Sequence, residues 1–120
     1  MDVTKMRDGL QKALERAGEG FTLFHLEEQL KLGNALLWTG NEACLVTSLH
    51  TDVETQNRLL HVWLGCGDIN ELISLEPGIS AWARARGCSY ASIDGRRGWS
   101  RVFKKLGFTT VDGELRKYYV

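Results

Sequence analysis

Leu59-Leu60-His61-Val62-Trp63-Leu64 is a nearly continuous apolar run. A run this short and this apolar is expected of a central strand covered on both faces. Gly65-Cys66-Gly67 is expected to break it. A helical stretch then follows from Ile69 to Arg86, and Tyr90–Ile93 reads as a further strand. Strand, helix and strand in that order form a crossover unit, which suggests locally parallel pairing. Pro77 inside the helical stretch predicts a kink or a division into two pieces.

The flanking sequence supplies partners for that unit. Val3, Met6, Leu10, Ala13, Leu14 and Ala17 recur at helical spacing, with Gly18 as the C-cap. A second helix is predicted over Leu23–Leu32, capped by Thr22, striped by Leu23, Leu26 and Leu30, and ended by Gly33. Ala35–Thr39 and Ala43–Leu49 read as strands around a Gly40-Asn41 turn, and polar residues 50–57 as a loop. Trp99–Leu106 reads as a short helix that makes a second crossover. Phe108–Val111 and Glu114–Val120 form a hairpin on Asp112-Gly113, a pair suited to a type I′ turn. The expected architecture is an α/β (α+β) domain over 1–120. It has an N-terminal helical pair in 1–33, then in 34–120 a mixed sheet of about six strands with helices on both faces.

Composition narrows the class. With 120 residues, 43% apolar and 25% charged, the chain has room for one core. No apolar run approaches a membrane span and no signal-peptide pattern opens the chain, so the expected setting is the cytoplasm, neither secreted nor membrane-bound. Cys44, Cys66 and Cys88 form no Cys-x-x-Cys, which argues for a reducing compartment and against a zinc cluster. His25 and His50 have no partner at ligand spacing, and no metal site is expected. The net charge of zero hides a division: residues 1–83 carry twelve acidic and six basic side chains, residues 84–120 three and nine. Such a split can steer an anionic ligand or favour head-to-tail contact between subunits. Two solvated helix faces produce the same count.

From Leu59 onward the chain resembles the GNAT (general control-related N-acetyltransferase) superfamily. Ala81-Trp82-Ala83-Arg84-Ala85-Arg86-Gly87-Cys88 looks like that family's passage from the long helix into the next strand. Lys105-Leu106-Gly107-Phe108 looks like its Lys-x-Gly-Phe signature. The resemblance covers residues 59–120, and an initial strand usual in the family has no counterpart here. It implies a cleft beside the central strand in which backbone amides at a glycine-rich helix N-terminus hold the pyrophosphate of acetyl-CoA. Each piece also has a structural reading: Trp82 and Phe108 as core aromatics, Gly107 as a helix C-cap.

The family's chemistry is incompletely matched. Gly65 and Gly67 supply the glycine pair, but Val62 stands where the pattern has Arg or Gln. Asp68-Ile69-Asn70-Glu71 reads as a capping box, whose carboxylates occupy the helix amides and repel a pyrophosphate. In the stretch where many members place a Tyr general acid, this chain has Phe103, with Val102 for Leu, Trp99 for Ala and Arg96 for Asn. Phe cannot donate a proton.

Other residues are candidates for chemistry. His61, beside the expected cleft, is the candidate base, its alternative being a hydrogen-bonded core histidine. Cys66 is a nucleophile or a structural cysteine; Asp68 and Glu71 are expected to raise its pKa. Arg84, Arg86, Arg96, Arg97, Arg101, Lys104 and Lys105 form a basic cluster interleaved with Tyr90, Trp99 and Phe103, a pattern that binds nucleic acid. Otherwise Arg101, Lys104 and Lys105 are the solvent face of a short helix whose Trp99, Val102 and Phe103 face the core. In Gly95-Arg96-Arg97-Gly98-Trp99, glycines bracket two arginines and expose them to a carboxylate, a phosphate or a partner.

Three functions are therefore carried forward. The first is a non-catalytic GNAT-like module that binds protein or self-associates as a structural or assembly component, with no cofactor and with Arg96, Arg97, Trp99 and Arg101 as its surface. Its Trp-Ala-Arg helix end, Gly-Cys and Gly95-Arg96-Arg97-Gly98-Trp99 also resemble small GNAT-like proteins encoded among the head and virion genes of tailed phages, which implies a virion component or a protein of the bacterial host cell. The second is an acetyl-CoA-dependent N-acetyltransferase with His61 as base and Gly65 and Gly67 amides on the phosphates. The third is a nucleic-acid binder using Arg84–Lys105.

Overall fold

The computed structural model describes residues 2–94 and 97–119, with residues 97–100 described in backbone only. The elements are α1 (Val3–Ala17), α2 (Leu23–Lys31), β1 (Leu36–Thr39), β2 (Ala43–Thr51), β3 (Arg58–Gly67), α3 (Ile69–Ala85), β4 (Cys88–Asp94), α4 (Arg97–Lys104), β5 (Thr109–Val111) and β6 (Glu114–Tyr118). The six strands form one sheet in the order β1-β2-β3-β4-β6-β5. Only β3 and β4 pair in parallel; every other neighbouring pair is antiparallel.

Local signals explain the helix ends. Asp2 caps α1 by accepting from Thr4 N at 2.7 Å, and Gly18, at φ +65°, closes it by donating to Leu14 and Glu15 carbonyls. At α2, Thr22 Oγ1 accepts from His25 N, and His25 Nδ1 accepts from Thr22 N. His25 thus fills the reciprocal position of a capping box. Asp112 and Gly113, at φ +49° and +83°, have the double left-handed geometry of the expected type I′ turn.

The sheet separates two cores. On one face, α3 and α4 cover Ala43, Leu45, Leu60, Val62, Ala91, Ile93 and Leu115, together with Phe103 and Phe108. On the other, α1 and α2 cover Cys44, Val46, Leu64 and Cys66. Glu76 of α3 accepts from Lys117 Nζ of β6 at 2.7 Å and from Ser80 Oγ at 2.6 Å, which ties the helix to the strand beneath it.

Four expectations need correction. Gly65-Cys66-Gly67 does not break the strand: all three pair with β2, opposite Leu45, Cys44 and Ala43. The strand ends only after Gly67, at φ +99°, where a Cβ would collide with the Glu42 carbonyl and Ala43 Cα as β2 crosses close by. Of the two outcomes expected at Pro77, division is ruled out, since α3 is continuous from Ile69 to Ala85. The crossover through α4 connects strands of the same direction, but β6 is inserted between β4 and β5 rather than leaving them adjacent. The capping box at α3 is half formed. Asp68 Oδ1 accepts from Glu71 N at 3.1 Å, while Asp68 N donates to Glu42 O at 2.8 Å instead of to the Glu71 side chain.

Candidate functional site

The site follows from an irregularity in β3. Across β2, Val46 faces Leu64 and Thr47 faces Val62, so Trp63 is an extra residue without an opposite number. This is a β-bulge, and it reverses which face the alternating side chains meet. Leu60 and Val62 point to the α3 side, whereas Leu64 and Cys66 point to the α1 side. The bulge also marks where β3 parts from β4. Their pairing runs from Arg58 opposite Cys88 to Val62 opposite Ile93 and stops, although β3 continues for five residues.

The two strands open there into a cleft of about 1310 Å³. It exceeds the ~300–1,000 Å³ of typical small-molecule sites. His61, Trp63, Gly65, Cys66 and Gly67 of β3 line it, with Ile93 and Asp94 of β4, Leu72 and Trp82 of α3, and Arg16, Phe21 and His25 from the α1–α2 region. Phe21 packs edge-on against Trp63, with ring centroids 5.6 Å apart.

His61 is half-buried in this cleft, its Nδ1 2.9 Å from Ser92 Oγ on the neighbouring β4. His50 lies 6.2 Å away, ring to ring, and contacts Ser48 Oγ through Nε2 at 2.7 Å. Burial first, and the His50 charge second, hold the His61 pKa below its ordinary value. An imidazole in its neutral form is the one that can accept a proton. Ser48, His50 and Ser92 had no motif to mark them. The Ser48–His50 pair shows as i, i+2 on one strand face, but the link from Ser92 to His61 depends on parallel register.

The cofactor-binding expectation meets a different geometry. Gly65 and Gly67 line the cleft but lie in strand pairing, and the collision at Gly67 accounts for its lack of a side chain. At the α3 N-terminus, Asp68 carries a carboxylate and accepts the Glu71 amide, and its own amide is spent on Glu42. The Glu71 carboxylate lies against Gly40 of the β1–β2 turn. A pyrophosphate would meet two carboxylates and at least two occupied donors, so these residues do not fit it. Phe103, at the position of the family's acid, is 2% exposed and packs edge-on against Phe108 in the α3/α4 core. Among the described residues no cluster of three or more His, Cys, Asp or Glu could hold a metal ion.

Cys66 departs from its expectation. It lies directly across from Cys44 in the β2–β3 ladder, and the two sulfurs are 3.0 Å apart. The hydrogen bond with Cys44, with a smaller contribution from Arg16, holds the Cys66 thiol down at about 7, and the Cys44 thiol is pushed up. Asp68 and Glu71 do not set its acidity, because the sulfur turns to the α1 face.

The basic cluster resolves in part. Arg101, Lys104 and Lys105 are exposed while Val102 is half-buried and Phe103 buried, the solvent-face arrangement. Tyr90 is 5% exposed beneath Arg116, and Arg86 stacks on Trp82 at 4.8 Å. Tyr90 and Phe103 are thus unavailable for base stacking. Arg96 and the side chains of Arg97 and Trp99, the core of the expected binding surface, lie outside the described residues. Gly107, at φ +95°, ends the last helix as expected, with Phe108 N donating to Phe103 O at 3.1 Å.

No protein-family model matches this chain, and no curated protein matches it. Several chains of solved structures are similar, two of which follow. One is a tyrosine-to-phenylalanine mutant of KacT, at TM-score 0.60 and 12% identity, matched over 89% of this chain and 82% of that one. The other is a chain of the AtaT–AtaR complex bound to DNA, at TM-score 0.55 and 13% identity, over 83% and 80%. The fold is GNAT-like. At these identities the likeness extends to architecture alone, including the mixed sheet with helices on both faces. No helix among the described residues is long and apolar enough to cross a membrane.

Proposed function

We propose that this chain is a non-catalytic GNAT-like module that works by binding protein, as a structural or assembly component. The observation that carries this reading is the α3 N-terminus. The Asp68 carboxylate accepts the Glu71 amide there, where a diphosphate-binding helix would keep its amides for the ligand. The buried Phe103 supports it by leaving the proton-donor position empty. Partnership is supported by large apolar side chains in solvent around α2, with Phe24 69% and Leu32 67% exposed, and by the charge division along the chain. One structural neighbour is itself in a protein complex, AtaT with AtaR. The likeness of residues 81–99 to small phage proteins makes a virion or assembly component the specific form of this proposal.

Calorimetric titration with acetyl-CoA, run beside light scattering over a protein concentration series, tests it. The expected result is no saturable heat and a mass that rises with concentration or with an added partner. Saturable binding followed by acetyl transfer to an amine would replace it with the second reading, an acetyl-CoA-dependent N-acetyltransferase. That reading is favoured by one observation, the neutral His61 held beside Ser92 within the cleft.

A further inference from the structure

We propose that Cys44 and Cys66 are an oxidation site, at which a hydroperoxide entering the cleft converts the two thiols into a disulfide across β2 and β3. The inference rests on geometry and does not depend on the function proposed above.

Three observations support it. The residues are direct partners in an antiparallel ladder, where opposed Cα atoms stand about 4.5–5.5 Å apart. That spacing falls inside the roughly 4.4–6.8 Å range that disulfides span. The sulfurs already touch at 3.0 Å, so bond formation needs a closure of about 1 Å with no change of register. The two residues are also unequal in access. Cys66 lines the cleft, whereas Cys44 does not line it and is 0% exposed. From above, α1 crosses at Gly9, where a Cβ would stand 2.7 Å from Cys66 Sγ. The reagent therefore meets Cys66 from the cleft, and the sulfur beside it is Cys44.

The steps balance. The Cys66 thiolate attacks one oxygen of the hydroperoxide; an S–O bond forms, the O–O bond breaks, and the leaving oxygen departs as water or alcohol after taking a proton. Cys66 is then a sulfenic acid. Cys44 sulfur attacks it, the S–S bond forms, the S–O bond breaks, and water leaves with the Cys44 proton. Two thiols are oxidised and one peroxide is reduced. The acidity of Cys66, with the Cys44 thiol held protonated, assigns attacking and resolving roles in the same order as access does.

The sequence makes the outcome readable. Trypsin places the three cysteines in separate peptides, Cys44 in residues 32–58, Cys66 in 59–84 and Cys88 in 87–96. The folded protein is treated with stoichiometric hydrogen peroxide, denatured, alkylated and digested. The expected product links peptides 32–58 and 59–84 within one chain, leaves Cys88 alkylated, and is reversed by dithiothreitol. The thermal midpoint of the oxidised protein is expected to rise by on the order of 10 °C. In Cys44→Ala, a sulfenic acid trappable by dimedone is expected on Cys66, with no disulfide. Full alkylation of Cys44 and Cys66 after peroxide, a bridge through Cys88, or a bridge between two chains would each overturn the proposal.

Discussion

The two halves of β3 share one strand and behave differently. Arg58–Val62 is held on both sides, by β2 and by β4, and its inward residues Leu60 and Val62 are 1% and 5% exposed. Trp63–Gly67 forms a wall of the cleft and, past the unpaired Trp63, is held by β2 alone. The first half is scaffold through Leu60 and Val62, and turns one reactive side chain, His61, to the cleft. In the second half most residues meet the cleft, and Cys66 is the reactive one. The difference originates in Trp63, one extra residue that turns the strand over and ends its pairing with β4.

Removing that residue is expected to have the largest effect. Deletion of Trp63 removes the bulge but leaves Leu64 and Cys66 on the α1 side opposite Val46 and Cys44; what is lost is the Trp63 side chain against Phe21 and the α1 core. The expected outcome is a loss of about 3–5 kcal/mol in chemical denaturation; an unchanged stability would mean that the bulge and its side chain are dispensable. Leu60→Ala, in the doubly paired half, should cost about 2–5 kcal/mol in chemical denaturation. Gly67→Ala, at the far end of the other half, forces a side chain into a left-handed position against Glu42 and Ala43, for about 1–3 kcal/mol or more. A cost near zero there would show that β2 yields easily and that the close crossing does not define the strand end. Asp68→Ala should lose about 1 kcal/mol with the cap.

The smallest effect is electrostatic. The folded state holds His61 below its ordinary value of 6.5. Between the folded and ordinary values the unfolded chain binds more protons, so stability rises with pH across that window. The contribution is complete above about 6.5 and is lost as pH falls through the folded value. Thermal midpoints measured from pH 7.5 down to 5 should show this slope, and His61→Asn should flatten it. An unchanged slope in the variant would assign it elsewhere.

Much of this fold was legible because each element announces its own ends. Asp2, Thr22, Gly18 and the Asp112-Gly113 turn act within a few residues, and the structure places their elements within a residue or two of expectation. What stayed hidden depends on register. The bulge leaves no trace in Leu59–Leu64 because both faces of β3 are apolar, so a reversal of face changes no polar pattern. The contacts between Cys44 and Cys66 and between His61 and Ser92 span 22 and 31 residues and exist only once strands are aligned. The direction of the Cys66 shift escapes the sequence for the same reason, since its chain neighbours Asp68 and Glu71 are not its spatial ones. At the candidate site, local signals were the informative ones: the Asp68 cap and the Phe103 substitution both lie in the sequence, and the structure keeps Asp68 as a cap and Phe103 in the core.

On the function proposed above, the self-capped α3 N-terminus leaves the cleft without a seat for a diphosphate. The most direct measurement is the thermal midpoint of the unmodified protein with and without millimolar acetyl-CoA. A ligand present at 100 times its dissociation constant adds about 2.7 kcal/mol, which in a chain of this size moves the midpoint on the order of 10 °C. No movement is expected. A shift of that size would contradict that function, and would show that the cleft binds the cofactor despite the carboxylates at its helix.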